Sequence, residues 1–157
     1  MNKIKYLLKL SFLVVLCLSA CSYEKINSPE QKKFHIVNIS VDGEKRTAFL
    51  VRKKINRFSN TESANKIQVK IKIENKSEIQ EKNIQNKVTR YKLTVIADVE
   101  VDDLVTNQKY KRKYSASQSY NVEDRYSETL NNSKEANINL IEVIVSEILD
   151  QLKIFYS

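Results

Sequence analysis

Between Tyr91 and Val101 the apolar side chains fall on every second position: Tyr91, Leu93, Val95, Ala97, Val99 and Val101, with Asp98, Glu100 and Asp102 on the other phase. A period of two belongs to a β-strand, whose side chains alternate between faces; wound into a helix, the same set would scatter around the circumference. The segment predicts a strand with one buried and one solvated face. Lys66 to Glu74 repeats the pattern, with Ile67, Val69, Ile71 and Ile73 alternating against Gln68, Lys70, Lys72 and Glu74. Two such strands form a sheet that must cover its apolar side with another layer.

The covering layer has its own signature. From Glu44 to Phe58, Ala48, Val51, Ile55 and Phe58 are spaced three and four apart, which places them on one helical face, with Lys45, Arg46, Arg52, Lys53 and Lys54 largely opposite. From about Asn132 to Phe155, Ala136, Leu140, Val143, Ile144, Ile148, Leu152 and Phe155 do the same, and Asn132 with Glu135 can cap the start. Phe34 to Val41 is rich in β-branched residues and reads as a strand that ends at the Asp42-Gly43 turn. Asn75 to Asn86 is mostly polar and reads as a loop. A turn at Thr106-Asn107 leads into a last strand, Lys109 to Asn121.

Pairing across that turn fixes which residues of the last strand meet the core. A two-residue turn sets Val99 opposite Tyr114, Val101 opposite Arg112, Asp102 opposite Lys111 and Glu100 opposite Lys113. Tyr110, Arg112, Tyr114, Ala116 and Tyr120 then point inward, and Lys109, Lys111, Lys113, Ser115, Ser117 and Ser119 outward. Sliding the turn by one residue on each side changes the partners and keeps the faces. The expected fold is α+β: a two-layer sandwich with a mostly antiparallel sheet of about four strands, two helices on one face, and the other face free.

The chain begins with a segment that is not part of this fold. Lys3, Lys5 and Lys9 precede an apolar run from Leu10 to Leu18, too short for the roughly 20 apolar residues of a membrane-spanning helix and followed by the small residues Ser19 and Ala20. Residues 1–20 are expected to be a signal peptide, cut away on export. Leu18-Ser19-Ala20-Cys21 resembles the lipobox of bacterial lipoproteins, which makes Cys21 the expected lipidation site and the membrane an expected partner through that lipid. Ser22 differs from the aspartate that resembles an inner-membrane retention signal, so the expected location is the outer membrane, on its periplasmic face. Residues 21–33 then form the lipidated cysteine and a flexible tether, and 34–157 a single domain.

Composition removes several classes of function. Cys17 leaves with the signal and Cys21 is modified, so no thiol remains for a disulfide or a cysteine metal site. One glycine and one proline leave no material for a phosphate-cradling glycine loop. His35 is the sole histidine and lacks a partner for a metal or a nucleophile. The expectation is no catalytic constellation, no metal, no cofactor and no enzyme. The net charge of +8 falls to +5 once three signal lysines are removed, a moderate bias toward anionic partners. Nucleic acid is not expected, because no recognition motif is present and an exported chain seldom meets it.

Tyr91-Lys92-Leu93-Thr94-Val95, then Ser119-Tyr120-Asn121-Val122, Tyr126 and the helix ending Leu152-Lys153-Ile154-Phe155 resemble the LPS-assembly lipoprotein (LptE) family, the plug partner of the outer-membrane LPS translocon. The resemblance implies a small non-enzymatic domain that sits inside a large outer-membrane β-barrel, helps it assemble, and contacts LPS during delivery to the surface. Lys109, Lys111, Arg112 and Lys113 form the densest positive cluster, and Lys70 and Lys72 extend its outward face, so these six are the candidate contacts for lipid A phosphates. Cross-strand pairing of the lysines with Glu100 and Asp102 is the competing reading of the same residues. A periplasm-facing module for another anionic polymer or protein partner also fits.

Overall fold

In the computed structural model, residues 33–156 are described; the signal segment, Cys21 and the tether up to residue 32 lie outside them. The element order is β1 (His35–Asp42), α1 (Lys45–Asn56), β2 (Lys66–Lys82), β3 (Val88–Asp103), β4 (Lys109–Asn121) and α2 (Tyr126–Phe155). The four strands make one open sheet in sequence order, with β1 parallel to β2 and the other two pairs antiparallel. The fold is the expected α+β sandwich.

Alternation decides the inner face. Ile67, Val69, Ile71 and Ile73 of β2 and Leu93, Val95, Ala97, Val99 and Val101 of β3 are buried in one cluster with Val51 and Ile55 of α1 and Leu140, Ile141, Ile144, Ile148 and Leu152 of α2. Both helices therefore lie on the same side. Between them, Lys54 reaches Glu142 at 2.6 Å, and Asn137 donates to the Thr47 hydroxyl at 3.3 Å. The turn into α1 uses Gly43 at φ 142°, a backbone that side chains rarely adopt, and a Cβ there would stand 3.0 Å from the Ile73 carbonyl oxygen. Asp42-Gly43 is a turn for that reason.

Three boundaries differ from the sequence expectation. Residues 75–82 continue β2 instead of forming a loop, and only Asn83 to Lys87 turns the chain. Asn83 closes this turn, its side-chain oxygen accepting from the Gln85 and Lys87 amides at 2.9 Å each, while Asn86 takes the left-handed φ of 62° that asparagine tolerates. Residues 76–82 of β2 are exposed on both sides, so no apolar alternation marks them in the sequence. Helix α2 begins at Tyr126, about two turns before Asn132. Asn132 does not cap; its amide reaches back to the Asn121 carbonyl at 3.3 Å and to Glu123 at 3.1 Å. The early turns are mostly solvent-exposed, which removes the periodic signal there.

The third difference is the β3–β4 register. Val99 faces Arg112, Val101 faces Tyr110, Asp102 faces Lys109, Glu100 faces Lys111 and Asp98 faces Lys113, because the connection is longer than two residues. Every partner slides by two and every side chain keeps its expected face. Asp103 sets the connection: its buried carboxylate accepts from the Val105 and Thr106 amides at 2.8 and 2.9 Å and from the Tyr156 hydroxyl at 3.2 Å. Burial pushes this carboxyl up, but those hydrogen bonds outweigh it and hold the pKa below its ordinary value. Burial, and then the Asp103 charge, push the Tyr156 hydroxyl well above its ordinary value, so it stays a donor.

A depressed folded pKa stabilises the fold at pH values above the unfolded carboxylate value, near 4, and the contribution is lost as pH falls through the folded value. Asp103→Asn is expected to cost about 1–3 kcal/mol at pH 7, with the gap to the parent narrowing below about pH 4. Urea midpoints at pH 7 and pH 3 check this, and a gap that widens in acid would contradict it.

Candidate functional site

The helix-free face of the sheet carries five of the six candidate residues. Strand alternation turns Lys70 and Lys72 of β2 and Lys109, Lys111 and Lys113 of β4 away from the core, and the register aligns them in rows with carboxylates. One row runs Ser40, Lys70, Glu100, Lys111. The next runs Asp42, Lys72, Asp98, Lys113. Charge alternates along each row, so every lysine has a carboxylate in reach.

The contacts follow from that lattice. Lys111 meets Glu100 at 3.1 Å, Lys113 meets Asp98 at 3.3 Å, and Asp102 takes both Lys70 at 3.5 Å and Lys109 at 3.6 Å. Lys72 pairs along its own strand with Glu74 at 3.0 Å; this hydrogen bond, then the charge, raises the ammonium pKa and lowers that of the carboxyl. Around these five ammonium groups stand five carboxylates, Asp42, Glu74, Asp98, Glu100 and Asp102, while Lys66, Lys76 and Lys92 share the same phase with Glu78. The face is strongly charged, balanced within the candidate cluster and slightly positive as a whole. It cups a shallow depression of about 560 Å³ lined by Ser40, Asp42, Lys70, Glu100 and Lys111 among others.

Arg112 stands apart from the other five. It points to the helix side, as its phase predicts, yet it is solvent-exposed because β4 is an edge strand. Its guanidinium hydrogen-bonds the Gln151 side-chain oxygen of α2 and lies 5.6 Å from the centre of the Tyr114 ring. Among the described residues it is the one candidate with no carboxylate partner. The structure thus divides the predicted cluster between two faces.

Pairing of this kind has a measurable signature. Lys111→Glu places a carboxylate opposite Glu100, removing an attraction and adding a repulsion of about 0.2–1 kcal/mol each. Adding Glu100→Lys alone would set a lysine opposite Lys70, so Lys70→Glu is added with it and the row returns with its signs reversed. The single variant is expected to lose about 1 kcal/mol and the triple variant to regain most of it, read as melting temperatures at low salt. A triple variant no more stable than the single would show that the ladder contributes nothing.

Among the described residues no group of histidine, cysteine, aspartate or glutamate could hold a metal ion, and no helix is long and apolar enough to cross a membrane. His35 lies at the start of β1, partly buried, away from any such group.

No protein-family model and no curated protein matches the chain. Solved structures do. An uncharacterized lipoprotein B from Nitrosomonas europaea superposes with a TM-score of 0.59 at 14% identity, covering 85% of this chain and 92% of its own. A minor lipoprotein from Acinetobacter baumannii gives 0.55 at 11% identity over 78% and 93% of the two chains. A putative lipoprotein from Caulobacter crescentus CB15 gives 0.53 at 14% identity over 81% and 92%. The chain shares its two-layer fold, over nearly the whole length of each, with these three bacterial lipoproteins.

Proposed function

We propose that this protein is an outer-membrane lipoprotein, anchored through Cys21 on the periplasmic face, that plugs and helps assemble the β-barrel translocon for LPS and contacts LPS on its way to the outer leaflet. The observation that carries the reading is the free sheet face: a broad, strongly charged surface opposite the helix layer, whose candidate lysines are paired with carboxylates. The lumen of a large outer-membrane barrel is polar, and a plug must present it with polar groups that can re-pair across the contact. An apolar face would suit lipid instead. The lipobox-like sequence at Cys21 and the fold shared with three lipoproteins agree with this location.

Purifying the tagged protein from membranes in mild detergent tests the partner. The expected result is one large outer-membrane β-barrel recovered with it. Recovery as a free monomer, with normal surface LPS after depletion, would overturn the reading. The charge balance also favours a second reading over the anionic-polymer one: a periplasm-facing module for a protein partner, since lysines already paired leave little surplus positive charge.

LPS contact through this face requires a phosphate to displace a carboxylate from its lysine. Replacing Lys111 and Lys113 by glutamate reverses the charge that β4 presents in both rows. LPS binding is expected to fall severalfold at low salt and the difference to shrink at high salt. Unchanged binding at low salt would remove this face from LPS contact.

A further inference from the structure

Under the outer edge of β4, between the sheet and the last turns of α2, lies a cleft of about 350 Å³. Val99, Val101, Tyr114, Ile148 and Leu152 form its walls, and Tyr110 stacks on Phe155, ring centres 4.6 Å apart, at one end. Its polar rim includes Arg112 and Gln151. The cleft lies on the opposite side of the sheet from the charge ladder and has no part in the proposed plugging contact.

We propose that this cleft binds a single hydrocarbon chain with an anionic head, a separate amphiphile of the fatty-acid class, whose carboxylate is held by Arg112. Three features carry the assignment. Apolar and aromatic walls with a few convergent polar groups are what small-molecule sites have, and 350 Å³ lies near the lower end of their usual range of roughly 300–1,000 Å³, room for one chain and not several. Among the described residues Arg112 has only the neutral amide of Gln151 as hydrogen-bond partner, and a carboxylate offers its planar fork a stronger, two-pronged acceptor. Among the described residues no strand covers the outer edge of β4, which leaves the mouth open for a chain to enter. The lipid expected on Cys21 has no anionic head, so it would leave Arg112 with its amide alone; the charge selects a separate molecule.

The test uses the full lipidated protein in its own membranes and two photoreactive probes of equal length, dodecanoate and dodecanol, each with a diazirine in its chain. Mapping of labelled peptides is expected to place dodecanoate on residues 110–114 and 148–155, at least fivefold above dodecanol. Arg112→Gln is expected to reduce dodecanoate labelling at least fivefold and leave dodecanol labelling and the melting temperature unchanged, with partial recovery in Arg112→Lys. Equal labelling by both probes, or label spread over exposed residues such as Phe49 and Ile84, would overturn the proposal. So would cleft labelling seen only in Cys21→Ala, because the protein's own lipid would then be the occupant.

Discussion

Phe34→Ala is expected to destabilise the domain by about 3–5 kcal/mol, the usual cost of emptying a buried aromatic site. Phe34 is fully buried. Its ring packs against Tyr156 with centres 6.0 Å apart, and its carbonyl accepts from the Asn60 amide at 2.9 Å. The residue thus joins the entry of β1 to the end of α2 through its ring and to the connection after α1 through its carbonyl. A domain of this size has a total stability of about 5–15 kcal/mol, so the loss removes a large part of it. Urea denaturation at pH 7 measures it, with Phe34→Leu as the milder comparison. A loss below about 1 kcal/mol in Phe34→Ala would mean that this corner closes without the ring.

The consequence reaches beyond stability. Lys33, the residue just before Phe34, accepts hydrogen bonds through its carbonyl from the Ser63 hydroxyl at 2.8 Å and the Asn65 amide at 3.0 Å. The start of β1 is therefore a fixed point, not a fraying strand end. Loosening Phe34 would lengthen the effective tether and weaken the orientation of both sheet faces at once.

What could be read in advance was what repeats. Ile67 to Ile73 and Leu93 to Val101 announce their strands because one side of each is buried along its whole length, and Leu140 to Leu152 announces α2 for the same reason. The arms from Asn75 to Arg90 and the first two turns of α2 carry no such signal, since what defines them is backbone pairing and a few polar contacts at Asn83, Thr129 and Asn132. Register across β3 and β4 was set by Asp103, a single buried carboxylate whose role depends on Tyr156, 53 residues away. The candidate site was legible to the same degree. Period two assigns the lysines outward and Arg112 inward, but which carboxylate each lysine meets, and that Gln151 waits for Arg112, are facts of tertiary contact.

Cys21→Ala is expected to reduce incorporation of labelled palmitate to background and to leave the protein with uncut or alternatively cut leader, seen as a shift in electrophoretic mobility. Cleavage at a lipobox and acylation act on the same residue, so both should be lost together, and continued palmitate labelling would sink the assignment. The physical effect on anchoring is large. Each buried methylene contributes about 0.8 kcal/mol, and while one acyl chain binds a membrane only marginally, two or more hold it stably. With an ordinary secretory leader in place of residues 1–20, the Cys21→Ala chain should move from the membrane fraction to the periplasm. The span from Cys21 to Lys33 then limits the partner: twelve residues reach at most about 40 Å when fully extended. On the proposed anchoring, whatever docks on the charge ladder must come within that distance plus the extent of the domain from the bilayer surface. A wall of an outer-membrane barrel does so, and for a lipid-free chain the same contact would have to form from dilute solution instead of at the high effective concentration that a short tether gives.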